Sequence, residues 1–145
     1  MFVTQILNSK AHRGVLTIDP AAAVSDAVAE LAARRIGALV VSSDGRRAEG
    51  ILSERDIVRE LGREGPAVLG RKVGEVMTHE LQTCAPGDDA EHILTAMTEG
   101  RFRHMPVVED GLLIGLISQG DVVKARLSEV SMENDALSAM IAGHG

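Results

Sequence analysis

The sequence predicts an α/β protein of the α+β kind. Two β-α-β-β-α units pack through their sheets with pseudo-two-fold symmetry, and a long C-terminal helix follows. Three observations carry this expectation. The stretch Gly50-Ile51-Leu52-Ser53-Glu54-Arg55-Asp56-Ile57-Val58-Arg59 returns sixty-five positions later as Gly115-Leu116-Ile117-Ser118-Gln119-Gly120-Asp121-Val122-Val123-Lys124. The segments ahead of each copy also run in the same order. Beyond the second copy, apolar residues continue at helical spacing almost to the end of the chain.

In the first unit, residues 3–7 suit one helical turn, ended by the polar run Asn8-Ser9-Lys10-Ala11-His12-Arg13-Gly14. Residues 15–18 form a short β-rich run that Asp19-Pro20 stops. From 24 to 35 the apolar positions Val24, Ala27, Val28, Leu31 and Ala32 fall on one helical face. Leu39-Val40-Val41 reads as a buried strand closed by the turn Asp44-Gly45, and residues 49–52 as the returning strand. Ser53 then caps a helix to about residue 61. Residues 62–74, with four glycines and Pro66, read as a connection.

The order then repeats. Val73-Gly74-Glu75-Val76-Met77-Thr78 matches residues 3–8, and 81–84 is the short strand. Pro86-Gly87-Asp88-Asp89 leads into a helix over 90–99. Met105 to Val108 is a strand, Asp110-Gly111 the turn, 112–117 the returning strand, and Ser118 caps the last helix. Thr17 aligns with Thr83, Pro20 with Pro86 and Ile36 with Phe102, at an offset of sixty-six. The first hairpin carries one extra residue. The expected boundaries are 1–62 for the first repeat, 63–72 for the linker, 73–126 for the second repeat and 127–145 for the helical extension and tail.

Composition narrows the function. A chain of 145 residues, 45% hydrophobic, buries roughly 68–70% of its unfolded surface, enough for one body built from two small units. A net charge of −6 without a basic block argues against a binder of phosphate backbones, and Phe2 and Phe102 are the only aromatic residues available for base stacking. Nucleic acid is therefore not an expected partner. Neither is a membrane, since no apolar run nears the ~18 residues of a span, and no basic-then-apolar leader opens the sequence. Cytoplasmic location is the default. Cys84 is the sole cysteine, read as a small buried hydrophobe in preference to a reactive thiol.

No catalytic constellation emerges. His12, His79, His92, His104 and His144 lack metal-ligand spacing, and neither G-x-S-x-G nor a phosphate-cradling G-x-x-x-x-G-K-[ST] run occurs. The chemistry sits in the doubled Ser-x-x-Asp. Such a pair caps a helix, stabilising it by about 0.5–2 kcal/mol, and capping alone would explain a single copy. Two copies, each after a glycine and a strand end, suggest more. A helix N-terminus suits an anion, and an acid in its first turn can accept the two hydroxyls of a ribose. Capping and ribose binding are compatible.

Gly-x-x-Ser-x-x-Asp in both copies, the Val-Gly-Glu-Val-Met-Thr opening at Val73 and the strand Met105-Pro106-Val107-Val108 together resemble the cystathionine β-synthase (CBS) domain family, whose tandem pairs form Bateman modules. The resemblance runs from Val3 to about Arg126. It implies a stand-alone, non-catalytic sensor that binds an adenosyl ligand in clefts between the repeats. AMP, ADP and ATP are the first candidates, with NAD or S-adenosylmethionine next. It also implies a flat homodimer and a regulated protein partner.

Carried over residue by residue, Ser118 with Asp121, and Ser53 with Asp56, match the family's ribose-binding positions. Thr83 and Thr17 match the position beside the base. Phe102-Arg103-His104-Met105-Pro106 matches the stretch that supplies phosphate-binding bases and an apolar wall for adenine. Its counterpart, Ile36-Gly37-Ala38-Leu39-Val40, has neither bases nor a proline. The second repeat is thus expected to hold the better site and the first a weaker one, where Arg55 reaches toward phosphate. The open alternative is a dimerisation module with a vestigial, ligand-free cleft.

The last helix is expected to run to about Ile141, with residues 142–145 fraying. Val123, Leu127, Val130, Leu137 and Ile141 fall at spacings of four and three, with Asn134 in the gap. Such a seam fits either a partner helix or the helix's own domain.

Overall fold

The computed structural model describes residues 1–10 and 15–144. Helix α1 (Val3–Ser9) is followed by β1 (Thr17–Ile18), α2 (Val24–Arg34), β2 (Ala38–Val41), β3 (Gly50–Ser53) and α3 (Glu54–Glu64). A short 3-10 helix, Gly65–Gly70, leads to α4 (Val73–Val76), α5 (Ala90–Gly100), β4 (His104–Glu109), β5 (Leu112–Ser118) and α6 (Gln119–His144). Residues 11–14 of the expected polar run, and Gly145 of the expected frayed tail, lie outside the described residues.

Helix α2 buries Val24, Ala27 and Leu31, and α5 buries Ala90, Ile93 and Met97 at matching positions. Both end the same way. Arg35 and Arg101 take a left-handed conformation, with φ of 53° and 57°, and their N–H groups close the last turn on Leu31 and Met97. This shared ending aims the next strand of each repeat back along its helix.

Strand β2 pairs in parallel with β1 and antiparallel with β3. In the second repeat β4 pairs only with β5, across the Asp110-Gly111 turn, where both residues have positive φ as a type I′ hairpin requires. The strand expected over 81–84 is reduced to a single parallel bridge between Cys84 and Val107. Pro106 supplies the reason. Its counterpart in the first repeat, Val40, sits in a full ladder, but proline has no N–H to carry the pairing back toward Thr83.

The opening helices are exchanged between the repeats. α1 hydrogen-bonds to the second repeat through Val3 N–H to Asp88 and Thr4 N–H to Pro86, and it buries Val3 and Ile6 among Ile93, Met97 and Ile117. α4 does the reverse, bonding Ala22 and Pro20 and burying Val73 and Val76 among Leu31, Leu39 and Leu52. The glycine-rich connection is part of that core too, because its 3-10 helix buries Val68 completely. What reads as a linker is a structural wall.

Each sheet turns one face to its own core. Alternation sends Ala38 and Val40, and opposite them His104 and Pro106, to the other face, where the repeats meet. Ala38, Val40 and Pro106 are buried there. Leu113 N–H donating to the Arg46 carbonyl at 2.7 Å ties one hairpin to the other.

Helix α6 buries Val122 and Ala125 in the second core and continues beyond it. Its seam residues Val123, Leu127, Val130, Leu137 and Ile141 are all exposed, so the seam does not pack on its own domain.

Candidate functional site

A cleft of about 1270 Å³ opens where the repeats meet. The end of α1 brings Leu7, Asn8 and Lys10 to it, and the end of α2 brings Arg34 and Arg35. Ile36, Gly37 and Ala38 form one wall. His104 and the β5 residues Ile114, Gly115 and Leu116 form the other, with Ser118 and Asp121 at the start of α6. The β5 wall owes its shape to an irregularity, since the register shifts between Val107 and Val108 and leaves Ile114 without a partner in the ladder.

At its centre Ser118 and Asp121 cap α6 reciprocally. The Asp121 N–H donates to Ser118 Oγ at 3.1 Å, and the Ser118 N–H donates to Asp121 Oδ2 at 2.9 Å. Lys10 Nζ donates to the same Oδ2 at 2.8 Å and to the Leu116 carbonyl at 2.8 Å. Oδ1 has no partner among the described residues. Burial pushes the Asp121 carboxyl up, but the hydrogen bonds from Lys10 and Ser118 outweigh it and hold the group below its usual range. The cleft thus presents an ionised carboxylate with one oxygen fixed and the other open.

His104 packs against Gly37, where a methyl group would stand 3.2 Å from both the imidazole and the Glu54 carboxylate. Burial pushes this imidazole's pKa down, against the opposing pull of Asp121 and Glu54.

Of the residues expected for the second site, the cleft collects His104, Ser118 and Asp121, and of those expected for the first, Ile36, Gly37 and Ala38. One cleft therefore draws on both repeats, because the sheets face each other and each strand meets the opposite helix start. Thr83 and Arg103 are exposed, and neither is in its lining. Arg103 instead offers its carbonyl to the Gln119 N–H at 2.7 Å. Phe102 and Met105 turn into the second core, and Pro106 lies buried between the sheets. Thr17 is held in β1. Arg55 reaches the second repeat, but its Nη1 donates to the Arg101 carbonyl at 3.1 Å.

Ser53 and Asp56 stand apart from this cleft, and Asp56 has no free oxygen. Oδ2 accepts from the Ser53 N–H at 2.9 Å and Ser53 Oγ at 3.1 Å, while Oδ1 accepts from Arg59 at 3.1 Å and Thr78 at 3.2 Å. The side chain is 6% exposed, against 24% for Asp121.

The site residues that sequence reasoning missed include Leu7, Asn8, Lys10, Arg34, Arg35 and, from β5, Ile114, Gly115 and Leu116. One signal was present. The stretch from Leu7 to Thr17 is four residues longer than its counterpart from Met77 to Thr83, and Lys10 stands within that longer stretch. Cys84 is buried, and burial raises its thiol pKa to about 12, so it is an inert core group. Among the described residues, no helix is long and apolar enough to cross a membrane.

The family description CBS domain matches residues 3–63 and again 73–128. This chain belongs to the CBS-domain family. A CBS-domain containing protein from Agrobacterium tumefaciens is 40% identical and superposes with a TM-score of 0.83, over 87% of this chain and 99% of that one. A protein with CBS domains from Burkholderia ambifaria is 37% identical at 0.82, over 88% and 95%. The mitochondrial CBS domain-containing protein CBSX3 of Arabidopsis thaliana is 39% identical over 83% of this chain. This chain spans 60% of that relative's length and 24% of the length of the Arabidopsis protein CBSCBSPB3. At 19% identity, the CBS domain pair of protein MJ0100 shares the fold, with a TM-score of 0.77 over 89% of this chain, in a crystal with 5′-methylthioadenosine and S-adenosyl-L-methionine.

Proposed function

We propose that this CBS pair is a regulatory module, not an enzyme, that binds an adenosyl ligand in the cleft and signals its occupancy to a partner protein. The open Oδ1 of Asp121 carries the reading, since a carboxylate held ionised beside a helix start is an acceptor for a ribose diol. Ile36, Ala38, Ile114 and Leu116 offer apolar surface to a base, and Lys10, Arg34 and Arg35 offer charge to phosphate. The bases favour AMP, ADP or ATP over NAD and S-adenosylmethionine. The adenosyl ligands bound by the MJ0100 pair support the ligand class. We take the compartment to be the cytoplasm, where such ligands are plentiful.

Titration calorimetry with AMP, ATP, NAD and S-adenosylmethionine tests the reading. At least one should bind below millimolar, and Asp121→Ala should weaken it about tenfold or more, the scale of a lost hydrogen bond to a charged group. Asp56→Ala should leave affinity nearly unchanged. Equal losses from both variants, or no binding by the wild type, sink the proposal.

A second reading, a dimerisation module that binds nothing, draws on the saturated Asp56 and the exposed seam of α6. It requires an unchanged melting temperature with every nucleotide, because a ligand of the folded state must stabilise it.

A further inference from the structure

Among the described residues, Lys10 is the cleft base that hydrogen-bonds to the Asp121 carboxylate. Its ammonium has two fixed acceptors, Asp121 Oδ2 and the Leu116 carbonyl, each at 2.8 Å. An ammonium has three N–H donors, so among the described residues one remains for a ligand. Lys10 is 29% exposed and belongs to the cleft wall, so that donor stands beside the open Oδ1. The first repeat handles its carboxylate differently, closing Asp56 with a Thr78 hydroxyl and Arg59. Thr78 follows Met77, which packs against Gly50 as Leu7 packs against Gly115, so Thr78 corresponds to Asn8, and at the same offset Lys10 falls on Glu80, which is not a base.

Charge arithmetic turns this into selectivity. With Lys10 paired to Asp121 the two charges cancel, and Arg34 and Arg35 leave the described side chains of the cleft positive. Glu30 pairs with Arg34, and His104 is held toward its neutral form by burial. Without Lys10, the Asp121 carboxylate would lose its paired charge and would repel an incoming phosphate. A neutral nucleoside would not meet that repulsion.

We propose that Lys10 selects the charge of the ligand: paired with Asp121, it makes the cleft accept a phosphorylated adenosyl ligand over the neutral nucleoside. This rests on the adenosyl reading above, and it names a specificity-determining residue within that site.

Calorimetry with AMP and with adenosine, at fixed ionic strength, tests it on wild type, Lys10→Met and Lys10→Arg. The two ligands differ only in the phosphate. The wild type should prefer AMP. Lys10→Met should lose about tenfold in AMP affinity, the effect of one nearby charge in a partly screened site, with less than about twofold lost for adenosine. Lys10→Arg keeps the charge and should retain the preference. Melting temperatures of both variants check that the fold survives.

Equal weakening toward both ligands in Lys10→Met overturns the inference, because Lys10 would then only support the site's structure. So does an unchanged AMP affinity, or a wild type that binds adenosine as well as AMP. These outcomes leave the adenosyl reading standing. Failure of the wild type to bind AMP or adenosine sinks this inference, and failure with ATP, NAD and S-adenosylmethionine as well sinks both.

Discussion

The His104 imidazole sits where burial and charge oppose each other. Burial favours its neutral form, Lys10 and Arg103 add to that, and Asp121 and Glu54 favour the cation. The net shift is downward. A pKa lower in the folded than in the unfolded protein contributes stability that is present above the unfolded value and lost as pH falls toward the folded one. The loss should begin as pH drops through 6.5. Melting temperatures taken between about pH 7.5 and about pH 5.5 should therefore fall more steeply for wild type than for His104→Gln, and parallel curves would contradict the assignment. At the same scale Asp121 and Asp56 are equivalent in the repeat but not in use. Each sits three residues after a serine, so the capping role of both was legible. Which carboxylate keeps a free oxygen depends on Lys10, Arg59 and Thr78, and of these only Arg59 is near in sequence.

Among the elements, α6 carries the largest unanswered surface. Leu127, Met132, Leu137, Met140 and Ile141 are each more than half exposed. Val58 on α3 is 67% exposed, and its counterpart on α6, Val123, is 40% exposed, so related helices present an apolar face on the same side of each repeat. We propose that this face pairs two copies as a homodimer, since exposed stripes of this kind mark protein contacts. Leu127→Asp should shift the protein from dimer to monomer in sedimentation equilibrium while leaving its circular dichroism intact. A wild type that sediments as a monomer at all concentrations would rule the pairing out. Sequence periodicity located this stripe, but could not say whether its own domain covers it. Only Val122 and Ala125, in the first turns of α6, enter the second core, and the stripe from Val123 to Ile141 lies off that buried face.

For the whole molecule, the exchange of opening helices makes the repeats interdependent. Ile6 belongs in sequence to the first repeat and in space to the second core, where it is 2% exposed. Ile6→Ala should cost about 2–5 kcal/mol, as for other large-to-small changes in a core. It should lower a single unfolding transition that covers both repeats. Two separated transitions, with only one shifted, would show that the halves fold independently. The expected boundaries at 62 and 73 divide the sequence repeats, but the cores are divided otherwise.

The sequence by itself determined the repeat, the helix and strand order, the tight turns and the two capped helix starts. Apart from the repeat, which is read across sixty-five positions, those features follow from spacing within some ten residues, where periodicity and turn chemistry act. Tertiary structure decided what spacing cannot carry. It set which opening helix fills which core, and it reduced the strand at 81–84 to one bridge through the missing N–H of Pro106. It also joined Ile36, Gly37 and Ala38 of one repeat to His104, Ser118 and Asp121 of the other. Lys10 shows the reason most plainly. It meets Asp121 111 positions further along the chain, and only the packing of two sheets face to face brings them together.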